Sequence, residues 1–184
     1  MPSASAVTAP IEFLIFPYAA AAGRSLLHVL IDELRSGRWD QFQAAVAFAK
    51  TSGNYPALLQ AMEDFAAQGG TINLTFGADA FGGESRGSDY ECVEQLLQAF
   101  KDIPSFKLHL YHERGRTFHP KVYLFSHETE KRATLILGSS NWSAGGFFAN
   151  VEANVVIRFN LKKADQRRAY DELRRCFADF WEES

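Results

Sequence analysis

Apolar positions in the first half of the chain alternate between two repeats. IEFLIFP (11–17) is a short, mostly apolar run that predicts a strand. Residues 23–36 then carry Leu26, Leu27, Leu30, Ile31 and Leu34 at the spacing of one helix face. FQAAVAFAK (42–50) returns to a near-continuous apolar run, the mark of a strand buried on both faces. Pro56 opens the next helix, where the first turn needs no N–H from it, and Gly69–Gly70 stops that helix after about Gln68. TINLTF (71–76) reads as a third strand. Strands alternating with helices predict parallel strands joined by right-handed crossovers.

The pattern then shifts. GADAFGGESRGSD (77–89) is the longest irregular stretch. It follows a strand and precedes a helix at about 89–101, which puts it at the carboxyl edge of the sheet, where open α/β sheets bind ligands. It is expected as either a mobile surface loop or a loop that gates substrate. Phe106–Tyr111, Lys121–Phe125, Ala133–Leu137 and Val151–Phe159 all have strand character, and the polar SHETEKR (126–132) predicts a hairpin between two of them. A last helix over 163–182 lines up Leu173, Cys176, Phe177, Phe180 and Trp181 on one face. The expected fold is a single α/β domain over residues 11–184, with a mixed, largely parallel sheet flanked by helices. Residues 1–10 are expected as a loose tail.

Composition alters this picture little. With 184 residues, 47% of them hydrophobic, the chain can bury one sizeable core. No Lys or Arg precedes Arg24, and Pro10, Glu12 and Pro17 interrupt the apolar N-terminal stretch. Neither a signal peptide nor a membrane span is expected there. Cys92 and Cys176 have no metal-ligand spacing and are expected as reduced thiols in helices, which fits a cytoplasmic setting. The net charge of −3 argues against indiscriminate adhesion to nucleic acid. Charge is nevertheless concentrated locally. Lys107, Arg114, Arg116 and Lys121 fall in one span with a single acid, Glu113, and that span also holds His109, His112 and His119.

That span leads into TFHPKVYLF (117–125), where His119 and Lys121 stand two apart at the head of a strand and so project from one face. Residues 138–152 read GSSNWSAGGFFANVE. There Ser139 and Asn141 again stand two apart, just past a strand end, and Glu152 heads the next strand. Gly-Ser-Ser-Asn alone is ordinary turn chemistry. If the three strands adjoin, however, a histidine, a lysine, two hydrogen-bond donors and a carboxylate meet at one sheet edge.

The order H-x-K, then G-S-x-N, then an acid about ten residues on resembles the phospholipase D superfamily. His119-Pro120-Lys121, Gly138-Ser139-Ser140-Asn141 and Glu152 carry the resemblance. It implies that family's α/β fold and a metal-independent phosphodiesterase needing no cofactor. Neutral His119 would attack phosphorus and form a phosphohistidine. Lys121 would bind the non-bridging oxygens, and Ser139 and Asn141 would donate where charge builds. Glu152 would accept from the other imidazole nitrogen. The family usually places Asp five residues after the Lys; here that position holds Ser126. This loss resembles the nuclease and restriction-type branch.

The family builds its centre from two H-x-K motifs and this chain has one, so the resemblance implies a homodimer around a two-fold axis. One His119 would act as nucleophile and its mate as acid, then base. Arg114 and Arg116 precede the motif and are expected to grip flanking phosphates. The substrate class this suggests is nucleic acid, DNA ahead of RNA, with a role in phage defence or restriction and targeting by a larger defence or helicase-type complex. Tyr111, Phe118, Phe147 and Phe148 are expected as core packing ahead of base stacking. Two alternatives remain: a phospholipid phosphodiesterase and a non-catalytic nucleic-acid-binding module.

Overall fold

The structure, a computed structural model, describes residues 9–18, 24–78 and 87–182. Seven strands form one sheet: β1 (Ile11–Phe16), β2 (Gln41–Val46), β3 (Thr71–Gly77), β4 (Phe106–Tyr111), β5 (Lys121–His127), β6 (Arg132–Gly138) and β7 (Glu152–Asn160). The helices are α1 (Leu26–Arg35), α2 (Pro56–Ala67), α3 (Tyr90–Ala99) and α4 (Ala164–Glu182). Local chemistry sets their ends. The Ser25 hydroxyl accepts from the His28 N–H at the start of α1, and Pro56 occupies the first turn of α2.

The strands lie in the order β1-β7-β6-β5-β2-β3-β4. Only β2–β3 and β3–β4 pair in parallel; the other four junctions are antiparallel. Five strands nonetheless point one way, with β5 and β7 reversed, so the sheet is mixed as expected. The departure is at β1, which does not neighbour β2 but pairs antiparallel with β7 at the far edge. Its burial explains the place: only Leu14 of its six residues is fully buried, whereas β2 and β3 each bury a run of residues. A strand with one buried side chain suits an edge and not the sheet centre. The β5–β6 hairpin forms where the polar segment predicted it, with Lys131 at φ 56° in the turn.

Helices cover both faces. One core packs α1, α2 and α3 on Phe42, Leu74, Phe76, Tyr123 and Ile136. The other packs Tyr170 and Phe177 of α4 on Ala45, Leu124, Leu135 and Phe159. Cys92 is buried within α3 and Cys176 is exposed on α4, and both are free thiols. Among the described residues no helix is long and apolar enough to cross a membrane. The expected tail falls largely on residues 1–8, and the expected gating loop on residues 79–86; both lie outside the described residues.

Candidate active site at the head of β5

The two motifs meet because β5 is central. Val46 of β2 pairs with Lys121 on one side, while Val122 pairs with Leu137 of β6 on the other. β6 ends at Gly138, whose partner is Asn154 of β7. A Cβ on Gly138 would lie 2.2 Å from the Ala153 carbonyl, so only glycine allows the turn to leave the sheet this close to β7. Lys121, Gly138 and Glu152 thus come to one edge.

His119 is exposed, while Lys121 behind it is 7% exposed. The Lys121 Nζ lies 2.9 Å from both the Nδ1 and the Nε2 of His119, and 3.2 Å from the His119 carbonyl oxygen. Which ring nitrogen faces the ammonium as acceptor depends on the imidazole tautomer. Burial pushes the Lys121 pKa below the ordinary lysine value, and the charge of Glu152 partly offsets that.

Asn141 is oriented by the segment that follows β2. Its Oδ1 accepts from the Phe48 N–H at 3.2 Å, which points the Nδ2 donors the other way. No bond from Nδ2 occurs among the described residues. The loop around Asn141 is pinned at several points. The Tyr123 hydroxyl donates to the Ser140 carbonyl at 3.0 Å, Asn154 Nδ2 to the Ser140 hydroxyl at 2.9 Å, and Trp142 Nε1 to Asn54 at 3.0 Å. Burial chiefly, and then the Glu152 charge, pushes the Tyr123 pKa up, so this phenol stays a donor.

Glu152 sits at the same edge but not on His119. Its carboxylate accepts from the Ser139 hydroxyl, and from Asn150 Nδ2 at 3.4 Å. No bond between Glu152 and His119 of the same chain occurs among the described residues, contrary to the expected contact. The reason is geometric: Ser139 follows the turn at Gly138 and reaches the carboxylate first. Ser139 also accepts from the Ala153 N–H at 3.1 Å, so its hydroxyl is engaged within the chain.

The flanking arginines differ. Arg116 is exposed and lies 3.2 Å from Glu113, whereas Arg114 is exposed and makes no ion pair among the described residues. Tyr111, Phe118 and Phe147 are buried in the core, and Phe148 is partly buried, edge-on to Tyr55 at 5.6 Å. Ser126, in place of the family's acid, is buried near the far end of β5 and donates to Gln41 at 3.2 Å. Five residues of strand put it about 16 Å from Lys121. Its identity therefore does not touch the edge where the motifs meet. No cluster of three or more His, Cys, Asp or Glu able to hold a metal ion occurs among the described residues.

A family model described as cardiolipin synthase, PLD-like domain, matches residues 30–181. The chain belongs to the phospholipase D-like family. It carries that family's phosphodiesterase fold. No curated protein sequence matches it. Among solved structures, Nuc from Salmonella typhimurium, a phospholipase D family member, superposes with a TM-score of 0.62 at 14% identity, over 94% of each chain. NucT from Helicobacter pylori gives 0.57 at 16% identity, over 88% of this chain and 92% of that one. Polyphosphate kinase from Porphyromonas gingivalis gives 0.61 at 13% identity, over 93% of this chain and 26% of the kinase. At these identities the likeness is one of fold.

The motif reading missed the segment 47–50, which continues β2 past its ladder and touches both motif halves. Ala47 N–H donates to the Pro120 carbonyl at 2.8 Å, and Lys50 N–H to the Trp142 carbonyl at 2.8 Å. A run of apolar residues carries no sign of this role, because the contacts are made by backbone.

Proposed function

We propose that the protein is a metal-independent nuclease, acting on DNA ahead of RNA, that cleaves through a phosphohistidine at a site shared by two copies of the chain. The observation that carries this is the exposed His119 held against a buried ammonium, with the donors of Asn141 unspent beside it. A phosphodiester brings its own negative charge to that ammonium and takes over its donors, which frees a ring nitrogen to attack phosphorus. The P–O bond to the leaving group breaks as the N–P bond forms. The departing oxygen takes a proton from His119 of the partner subunit, which then activates water to hydrolyse the N–P bond.

One imidazole cannot be nucleophile and acid in the same step, so a single motif is half a centre. The end-to-end match to Nuc and NucT, against a quarter of the kinase, supports a version of the fold that works as a small unit. Leu137 and Val151, which lead into Gly138 and Glu152, are 47% and 63% exposed, and a second copy would remove them from water. With Glu152 unbonded to His119 in its own chain, the carboxylate that orients each imidazole is supplied by the partner's Glu152. Arg114 steers flanking phosphates. A restriction or defence setting, with targeting by a larger complex, belongs to the same reading.

The test is cleavage in EDTA of single- and double-stranded DNA, RNA and phosphatidylcholine vesicles. DNA cleavage that His119→Ala abolishes while DNA binding persists supports the reading. Cleavage of the lipid alone assigns a phospholipid substrate, and DNA binding without any cleavage assigns a binding module.

A further inference from the structure

Phe48 touches three residues of the proposed centre at once. Its N–H donates to Asn141 Oδ1 at 3.2 Å, and its carbonyl accepts from the Trp142 N–H at 3.1 Å. Its ring meets the His119 imidazole at 5.7 Å and 77°, edge against face. The Lys121 Nζ stands 5.8 Å from the same ring's centroid. No motif contains Phe48, and the apolar run around it reads as core.

We propose that Phe48 is a positioning residue of the phosphodiester site, holding His119, Lys121 and Asn141 in register through one aromatic ring and one backbone N–H. An aromatic face is negative and its edge positive, so a perpendicular contact restrains the imidazole plane and a cation beside the face is attracted. That attraction strengthens where the ammonium has lost water, as Lys121 has. The groups facing Lys121 are few. His119 adjoins it on its own segment, Glu152 acts from β7, and the β2 extension presents the uncharged Phe48 ring. The charge on that extension, Lys50, is paired at 2.9 Å with Asp89 at the N-cap of α3. A leucine at 48 keeps the bulk and the backbone N–H but loses the ring. Lys121 then gives up its proton at lower pH, and the imidazole turns more freely.

The inference rests on the phosphodiesterase reading for its kinetic arm only. The experiment compares wild type, Phe48→Leu and Phe48→Tyr, each checked for folding by thermal melting. Lys121 is titrated by NMR of 13Cε-lysine-labelled protein, with its resonance assigned from Lys121→Arg. In parallel, kcat and KM are measured on bis(p-nitrophenyl) phosphate. The expected result for Phe48→Leu is a downward shift of the Lys121 titration and a kcat about tenfold lower, with KM within about twofold. Phe48→Tyr restores both. A Lys121 titration unchanged in Phe48→Leu overturns the proposal, as does a folded Phe48→Tyr that behaves like Phe48→Leu. Should Phe48→Leu fail to fold, Phe48→Met takes its place under the same criteria. A wild type that cleaves nothing counts against the phosphodiesterase reading, and the NMR titration then decides the role of Phe48 alone.

Discussion

Lys121 and His119 form a contact in which one ammonium nitrogen is equidistant, at 2.9 Å, from both imidazole nitrogens. The ammonium is buried behind the exposed ring. The same burial lowers the Lys121 pKa from the ordinary 10.5, with Glu152 pulling the other way. The sign follows. Activity that needs the ammonium declines on the alkaline side with a midpoint below 10.5. Glu152→Gln removes the offsetting charge and moves that midpoint lower still, read from the pH profile of residual activity or from the lysine NMR titration. Because the unfolded chain holds this proton more tightly, the lysine's contribution to stability rises with pH between its lowered value and 10.5.

Asn141→Asp separates orientation from donation. The carboxylate still accepts from the Phe48 N–H, so the loop keeps its anchor. The Nδ2 donors are replaced by a negative charge facing the phosphate. The expected loss in kcat is about 100- to 1000-fold with little change in melting temperature, measured by steady-state cleavage and calorimetry.

Gly146→Ala tests how tightly Asn141 is seated. A Cβ at 146 would lie 2.2 Å from the Asn141 carbonyl and 2.5 Å from its nitrogen, both backbone atoms that cannot swing aside. The expected cost is about 1–3 kcal/mol of stability, with a fall in kcat because the displaced residue is Asn141. Urea melts and cleavage rates check the two effects.

Ser126→Asp restores the family's usual acid without restoring anything at the site. The new carboxylate would replace a buried hydroxyl that bonds Gln41, at the opposite end of β5 from Lys121. Activity is expected to stay unimproved while stability falls by about 1–3 kcal/mol, measured by cleavage assay and urea denaturation.

The two thiols should react unequally. Burial pushes the Cys92 thiol up to about 12, whereas Cys176 is exposed. A thiol reagent at neutral pH is expected to label one cysteine in the native protein and two in denaturant, with mass spectrometry placing the native label on Cys176.

Much of the candidate site's layout was legible in the sequence. His119, Lys121, Ser139, Asn141 and Glu152 lie in short motifs whose side chains project from strand ends by the two-residue alternation, and the structure brings all five to one edge. Their bonding was not legible. Glu152 answers to Ser139 and Asn150 within its chain, and Arg116 lies against Glu113. Such partners depend on which turn reaches a group first, and no periodicity encodes that.

The sequence alone determined the elements and their order, since apolar repeat, Pro56, Gly69–Gly70 and the polar hairpin act through neighbours along the chain. It also determined the chemistry available, because the motif residues are few and closely spaced. Tertiary structure decided the strand order that sends β1 to the edge beside β7, the burial that lowers the Lys121 pKa, and the placing of Phe48 between the two motif halves. These depend on contacts between residues 71 to 146 positions apart, such as Phe48 with His119 and Asn141 and Glu12 with Arg158. Such contacts form by closing loops and excluding water, and the local pattern does not record which loop closes on which.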